Sequence, residues 1–171
     1  VFDLNPEGTP FSTITNVGAV HGGDSFLLTC GMTEILFDSG FAFCGPKLVE
    51  NLERELGGRP LDYILLSHSH YDHAPGSAYC KARWPNAQVI SSEYAAKIFT
   101  KPGARAVMRE LDDAAAAQHG MRRTVDLIDS LKTDLPLRDY ETISLNGLCV
   151  QCIPLPGHTK CSVGFYFKEH N

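Results

Sequence analysis

The sequence lacks any apolar run close to the roughly 20 residues that a helix needs to cross a bilayer. It also lacks an excess of basic charge, since 15 Lys and Arg stand against 20 Asp and Glu and the formal charge is −5. This balance gives no bulk attraction for nucleic acid or for an anionic membrane surface. We therefore expect a small-molecule substrate and neither a nucleic acid nor a membrane as partner, while the oligomeric state is left open.

Cysteine is present but too sparse for a disulfide scaffold. Six cysteines are spread through apolar segments of 171 residues, whereas disulfide scaffolds are shorter and denser in cysteine. Val1–Pro10 is polar and unlike a signal peptide, and because the chain begins with Val1 we expect that its natural start was trimmed or lies upstream. These features favour a reducing, cytoplasmic setting. Cys149 and Cys152 form a C-x-x-C, but on a strand they point to opposite faces, which favours ordinary burial over a metal or redox pair.

Hydrophobic periodicity predicts one domain over residues 1–171 with a mixed α/β fold. Strands are predicted at Phe11–Val17, Ser25–Cys30, Thr33–Phe37, Leu61–Leu66, Gln88–Ile90, Glu141–Leu145, Leu148–Ile153 and Val163–Phe167. Helices are predicted from Gly45-Pro46 to Leu56, over Ser77–Arg83, and from Ser92 to about Gln118 with a break near Pro102-Gly103, and Thr133–Tyr140 is predicted to be loop. A strand meander, then strand–helix alternation, then further strands indicate a mixed sheet with helices on its outer side.

Three histidines and one aspartate fall within six residues at the end of the predicted strand Leu61–Leu66. They are His68, His70, Asp72 and His73, in the pattern His-x-His-x-Asp-His. Because residues two apart in extended chain face one side, His68 and His70 can point at one ion, and the turn that follows brings the other two beside it. Neutral imidazoles with a carboxylate suit zinc, iron or nickel. The alternative, a merely hydrogen-bonded histidine loop, is disfavoured because protonated histidines this close would repel each other.

A second cluster, Pro154–Thr159, follows the predicted strand Leu148–Ile153. The Pro156-Gly157 turn places His158 at the rim of the sheet, where sites form in α/β folds. A lone histidine is more often structural. In combination with the first cluster, however, we predict that His158 is a metal ligand.

These motifs resemble those of the metallo-β-lactamase fold superfamily. His68–His73 resembles its signature, and Ile35–Gly40 looks like its earlier strand motif ending in Asp-x-Gly. Leu155–Thr159, running on to Ser162–Phe165, looks like its Gly-His-Thr segment and the strand after it. The resemblance implies an αββα sandwich with a two-metal site between the sheets, holding one or two zinc ions, with iron or manganese as alternatives.

The resemblance also implies roles for the individual residues. His68, His70 and His158 would bind one metal, Asp72 and His73 would contribute to the second, and Asp38 would support the metal ligands from behind. The implied activity is a metal-dependent hydrolase, in which a zinc-activated water attacks an ester, thioester, lactone or amide-type bond. Asp72 would orient that water or accept its proton. An iron-dependent oxidoreductase of the same fold and a non-catalytic metal-binding fragment are the alternatives.

The C-terminal end departs from the family pattern. In the family, the strand matching Val163–Phe167 turns into another strand whose final aspartate bridges both metals, and a last histidine follows later. Here Lys168–Asn171 looks like that turn, and Glu169 and His170 are poor candidates for the two ligands. We therefore expect the N-terminal portion of a larger domain, with the C-terminal metal motifs absent from this chain. Cys161 stands where a glycine is common, and we expect it to be a spectator.

Overall fold

Residues 11–168, the part of the chain that the computed structural model describes, contain two β-sheets, four α-helices and a short 3₁₀ helix at Ile128–Ser130. The first sheet contains β1 Thr13–Asn16, β2 Phe26–Cys30, β3 Thr33–Phe37, β4 Tyr63–Leu65, β5 Gln88–Ser92 and β6 Leu135–Leu137. The second sheet contains β7 Thr142–Leu145, β8 Leu148–Pro154 and β9 Val163–Phe167. The helices are α1 Gly45–Leu56, α2 Gly76–Arg83, α3 Glu93–Phe99 and α4 Pro102–Gln118. The predictions made for Val1–Pro10, Glu169 and His170 fall outside this range.

The first sheet changes from antiparallel to parallel pairing at β3. Strands β1, β2 and β3 form an antiparallel meander, whereas β3 to β6 run parallel to their neighbours. Because parallel strands end at the same edge, the segments that follow β3 and β4 meet there. The second sheet is antiparallel, and Asn146-Gly147 turns β7 into β8 with positive φ at both residues. The predicted mixed α/β fold is confirmed.

The central strands of the first sheet are apolar on both faces because each face packs against a different layer. Leu36, Ile64 and Val89 are buried against the helices, together with Leu48, Leu52 and Leu56 of α1. Ile35, Leu65 and Ile90 are buried against the second sheet, together with Val150 and Cys152 of β8. The layers within residues 11–168 are therefore helices, sheet and sheet, which are three layers of the predicted αββα sandwich.

The prediction of a loop at Thr133–Tyr140 was wrong, because Leu135–Leu137 forms β6 and pairs with β5. This strand is three residues long and has Pro136 at its centre, so it offers neither a measurable periodicity nor a full set of hydrogen-bond donors. Proline is tolerated in a strand at the edge of a sheet, and β6 occupies the edge. The break in the long helical stretch was predicted correctly, since α3 ends at Phe99 and α4 begins at Pro102.

The cysteines differ in burial from one strand face to the other. Cys44, Cys80, Cys152 and Cys161 are free thiols, and Cys152 is buried between the sheets while Cys149, on the opposite strand face, is half-buried. No helix within residues 11–168 combines the length and the apolar character that crossing a membrane requires.

Candidate metal centre

Two loops at one rim of the sandwich carry the predicted ligands. The metal loop, residues 66–75, joins β4 to α2 and bears His68, His70, Asp72 and His73. The His158 loop, residues 155–162, joins β8 to β9 in the other sheet. The structure brings three of these side chains together, because ligand nitrogens of His68, His70 and His158 all lie within 4.8 Å of one another. Two distant stretches of sequence thus converge on one point.

Asp72 and His73 lie beside this cluster of three histidines. The ring centroid of His73 is 4.2 Å from that of His68, and its Nε2 is 3.6 Å from Oδ2 of Asp72. Within residues 11–168, neither belongs to the group whose ligand atoms all lie within 4.8 Å. The five predicted ligands are therefore neighbours, arranged as one compact triad with an adjacent carboxylate–imidazole pair.

Asp38 holds the metal loop in place through hydrogen bonds to Ser67 and His73. It follows β3 with a φ of 52°, a left-handed conformation that short polar residues tolerate. Its Oδ1 accepts the Ser67 N–H at 2.8 Å, and its Oδ2 accepts the Ser67 hydroxyl at 2.6 Å. Oδ2 also lies 2.8 Å from Nδ1 of His73. Since an ionised carboxylate only accepts, Nδ1 of His73 carries the proton and Nε2 is left to face Asp72.

Ser67 fixes the proton position of His68 in a similar way. The serine hydroxyl has one proton, which it donates to Asp38, so its 2.9 Å contact with Nδ1 of His68 requires His68 to be the donor. Nε2 of His68 is then a bare acceptor, and it is buried with no hydrogen-bond partner among residues 11–168. Burial, followed by the neighbouring His73 and His70, lowers the pKa of His68 to about 4. The ring is therefore neutral, with a lone pair aimed into the cluster.

His70 and His158 meet across the two loops. Nδ1 of His70 and Nε2 of His158 are 3.0 Å apart, so one nitrogen donates and the other accepts. Burial, and then the proximity of His158, lower the pKa of His70. In contrast, the hydrogen bond to Asp38 raises the pKa of His73. A cation bound by His70 and His158 would take the place of the proton they share.

Ser39 fastens the far end of the metal loop. Its N–H donates to the His73 carbonyl at 2.7 Å, and its hydroxyl lies 2.9 Å from the carbonyls of both His73 and Ala74. The chain approaches so closely here that a Cβ on Gly76 would lie 1.9 Å from the Ser39 carbonyl oxygen, which only glycine permits. The supporting roles of Ser39 and Ser67 were not predicted, although Ser67 stands directly before the first histidine of the motif.

The donor set fits a zinc-like cation. Three imidazole nitrogens with an adjacent carboxylate are ligands that zinc takes readily, and iron and manganese accept related sets. Nε2 of His68 and Oδ1 of Asp72 are both buried without a partner among residues 11–168. Such orphaned polar atoms are costly in a folded protein, and cations bound by the triad and by the adjacent pair would satisfy them.

The other described histidines stand apart from the cluster. His21 is exposed in the loop after β1, and its ring stacks on that of His119, with centroids 4.1 Å apart and planes 13° from parallel. His119 caps the end of α4 and is also exposed. These two residues therefore provide histidine controls for experiments on the metal centre.

The fold and the rim site define a protein of the metallo-β-lactamase type. The family model described as "Metallo-beta-lactamase superfamily" matches residues 18–171. The chain belongs to the metallo-β-lactamase superfamily, as the sequence motifs indicated.

Among solved structures, the chain is similar to a metallo-β-lactamase of Cronobacter sakazakii with a HARLDQ motif. The two are 26% identical with a TM-score of 0.65, over 92% of this chain and 55% of the other. The Rm3 metallo-β-lactamase is also 26% identical, with a TM-score of 0.64 over 94% and 55% of the two chains. Among curated proteins, Glyoxylase B2 of Dictyostelium discoideum is 29% identical over 108 residues. That match covers 63% of this chain and 32% of the relative, so the chain spans about half the length of the solved structures and a third of the relative.

The motif His68–His73 of this chain differs from the HARLDQ motif of the Cronobacter protein. Set letter for letter against HARLDQ, the six residues His68–His73 share the first histidine and the aspartate. This chain has His70 and His73 where the other motif has arginine and glutamine. The likeness supports the fold, and the case for a metal rests on the geometry of this chain's own side chains.

Proposed function

We propose that this chain forms the metal-binding core of a metal-dependent hydrolase, with His68, His70 and His158 as ligands of the first cation. The single observation that carries the proposal is the convergence of their nitrogens within 4.8 Å, around an Nε2 that has no hydrogen-bond partner among residues 11–168. Membership of the superfamily and the names of the similar proteins, metallo-β-lactamase and glyoxylase, support hydrolysis as the reaction class.

Zinc is the proposed metal, with Asp72 and His73 contributing to a second position. When bound, zinc supplies Lewis-acid chemistry, since it polarises a carbonyl and makes water more acidic. Asp38 and Ser67 prepare the ligands for it, because their hydrogen bonds fix the tautomers of His73 and His68 before any cation arrives. This preorganisation removes the need to reorient two imidazoles on binding.

Asp72 is the proposed catalytic residue. One of its oxygens is buried without a partner among residues 11–168, and the other lies 3.6 Å from Nε2 of His73. A carboxylate in this position accepts a hydrogen bond from the attacking water, orients it and takes up its proton. The electron pair of water is then directed at the carbonyl carbon of the substrate.

The proposed substrate is a small molecule with an ester, thioester, lactone or amide-type bond. A groove of about 440 Å³ lies beside the His158 loop, and it is lined by residues that include Tyr94, Lys97, Arg138 and Lys160. The formal charge of −5 and the low density of cysteine in the sequence are the grounds on which we propose a cytoplasmic protein that binds neither nucleic acid nor membrane. The names of the similar proteins point to more than one substrate, so several bond types are tested in parallel.

The test compares His70→Ala with His119→Ala, a matched histidine control outside the cluster. Zinc affinity is measured by competition with a chromophoric chelator, and hydrolysis is measured on a panel of an ester, a thioester, a lactone and a β-lactam. We expect His70→Ala to lose zinc binding and hydrolysis together, while His119→Ala retains both. Full hydrolysis by His70→Ala would overturn the proposal.

Two further outcomes of the same experiment separate the alternatives. Protein produced without added metal is analysed for its metal content and its visible absorption. Iron with a visible chromophore would favour an oxidoreductase, and tight zinc binding without turnover of any substrate would favour a non-catalytic metal-binding protein. Colourless zinc-loaded protein that hydrolyses one bond type would support the hydrolase.

A further inference from the structure

We infer that Cys161 is a positioning residue of the metal centre, whose thiol fixes the His158 loop against the peptide between His68 and His70. This inference rests on the proposed function, because it concerns how the ligands of the first cation are held. It replaces the expectation that Cys161 is a spectator.

The thiol of Cys161 sits among three polar groups. Its Sγ lies 3.3 Å from the backbone nitrogen of Ser69, 3.2 Å from the Ser69 hydroxyl oxygen and 3.2 Å from the Thr159 hydroxyl oxygen. Cys161 is 2% exposed and Ser69 is 8% exposed, so water does not compete for these contacts. The sulfur therefore joins a residue of the metal loop to a residue of the His158 loop.

The contact with Ser69 acts on two ligands at once. The Ser69 N–H can only donate, so the sulfur is its acceptor, and the peptide plane that contains this N–H is fixed by the bond. Ser69 lies directly between His68 and His70, and its backbone therefore sets the direction in which both side chains leave the loop. Without the sulfur as acceptor, the buried Ser69 N–H would lose this hydrogen bond, and the loop would rearrange until the N–H found another acceptor.

The backbone of Cys161 is anchored independently of its thiol. Its carbonyl accepts the Ser92 hydroxyl at 2.9 Å, and the Ser92 oxygen also accepts the Ala95 N–H at the start of α3. Two residues further on, the Val163 N–H donates to the Ser67 carbonyl at 2.9 Å. The Cα of Cys161 is thus held by the fold, so its side chain can serve as a fixed reference for the two loops.

The thiol does not belong to the ligand cluster itself. Among residues 11–168, the ligand atoms that lie within 4.8 Å of one another come from His68, His70 and His158 alone. Cys161 reaches the site through Ser69 and Thr159, and this indirect path is what distinguishes a positioning residue from a ligand or a nucleophile.

The test compares three variants of the full chain. Cys161→Ala removes the acceptor, and Cys161→Ser restores one of similar polarity. Cys152→Ala is the matched control, because Cys152 is also fully buried but faces the interface between the sheets. Three quantities are measured for each variant: zinc affinity by chelator competition, the absorption spectrum of the cobalt(II)-loaded protein, and the thermal midpoint of the metal-free protein.

We expect Cys161→Ala to weaken zinc binding by about tenfold, the low end of what losing an outer-shell partner costs. Its cobalt spectrum should shift, because the coordination geometry changes, and Cys161→Ser should recover most of both. Cys152→Ala should lower the thermal midpoint at least as much, yet keep the wild-type affinity and spectrum. If Cys161→Ala fails to fold, Cys161→Val keeps the buried volume without the acceptor and carries the same expectation.

Several results would overturn the inference. Wild-type zinc affinity and cobalt spectrum in Cys161→Ala would show a spectator, and so would equal losses of affinity in Cys161→Ala and Cys152→Ala. A Cys161→Ser variant no better than Cys161→Ala would show that hydrogen bonding is irrelevant. If the wild-type chain and His70→Ala bind zinc equally poorly, the proposed function falls together with this inference, whereas the first three results leave the proposed function standing.

Discussion

The metal loop and the His158 loop carry the proposed ligands of one cation but are held in different ways. The metal loop is tied to the segment after β3 through Asp38 and Ser39, whose side chains and backbone make hydrogen bonds along its length. The His158 loop is exposed from position 155 to 158 and is secured mainly near its end, at Cys161 and the start of β9. The metal loop is thus held along its length by partners within the protein, whereas the His158 loop is held mainly near one end.

This difference follows from where the loops stand in the fold. The metal loop leaves β4, a strand buried on both faces, and it runs beside the end of the parallel neighbour β3. The His158 loop leaves β8 in the outer, antiparallel sheet, whose strands are covered on one face within residues 11–168. Burial gives the first loop fixed partners, whereas solvent competes for the polar groups of residues 155–158 in the second loop.

Among the changes that test this difference between the loops, replacing Asp38 with Ala should have the largest effect on the free energy of unfolding. The Ser67 N–H, the Ser67 hydroxyl and Nδ1–H of His73 would lose their acceptor in a site where Asp38 is 4% exposed. We expect the free energy of unfolding to fall by on the order of 3 kcal/mol or more, measured by urea denaturation of the metal-free protein. The exposed Asp139, replaced with Ala, serves as the control. A loss below about 1 kcal/mol would contradict the view that Asp38 builds the metal loop.

Hydrogen exchange with and without zinc tests the comparison most directly. Without metal, amides of the metal loop should exchange more slowly than amides of residues 155–162. If opening of the His158 loop excludes the metal, zinc at about 100 times its dissociation constant should slow exchange there by up to about 2.7 kcal/mol of protection. The metal loop should gain less, because it is already ordered. Equal exchange rates in the two loops of the metal-free protein would contradict the view that the metal loop is held more firmly than the His158 loop.

Replacing Ser67 with Ala should weaken metal binding more than folding. The change removes the link that assigns the proton to Nδ1 of His68, but the backbone N–H of residue 67 still donates to Asp38. We expect zinc affinity to fall by about tenfold, measured by chelator competition, with about 1 kcal/mol lost in the free energy of unfolding. Ser130→Ala, at an exposed position, is the control. Unchanged affinity would show that the tautomer of His68 is set by something other than Ser67.

The smallest effect is expected for Thr159→Val in the His158 loop. Its hydroxyl lies 2.7 Å from the Ser162 hydroxyl and 3.2 Å from the thiol of Cys161, so the loop loses two local contacts but keeps its backbone anchors. The free energy of unfolding should change by less than about 1 kcal/mol in denaturant titrations. A larger loss would mean that this loop is as strongly built as the metal loop.

The sequence sufficed for the parts of the molecule that depend on local pattern. The motif His68–His73 lies at the end of a buried strand, and period and turn signals identified most strands and the break before Pro102. The edge strand with Pro136 was not predicted, because its pairing with β5 depends on tertiary contacts that a pattern of three residues does not reveal. For a related reason, the sequence did not reveal the roles of Ser67, Ser39 and Cys161. These roles depend on contacts between segments that are far apart in the sequence. A single serine or cysteine in a sequence does not indicate which residues its side chain will contact.

The tie between Val163 and Ser67 has a mechanical consequence for the sandwich. The contact between the two sheets is apolar and non-directional, so it fixes their separation better than their alignment. At the rim that bears the site, a backbone hydrogen bond and the Ser92–Cys161 bond cross between the layers, whereas the bond from Tyr63 to Asn146 that also crosses is solvent-exposed. These directional hydrogen bonds therefore fix the alignment of the two sheets at the rim where the candidate metal centre lies.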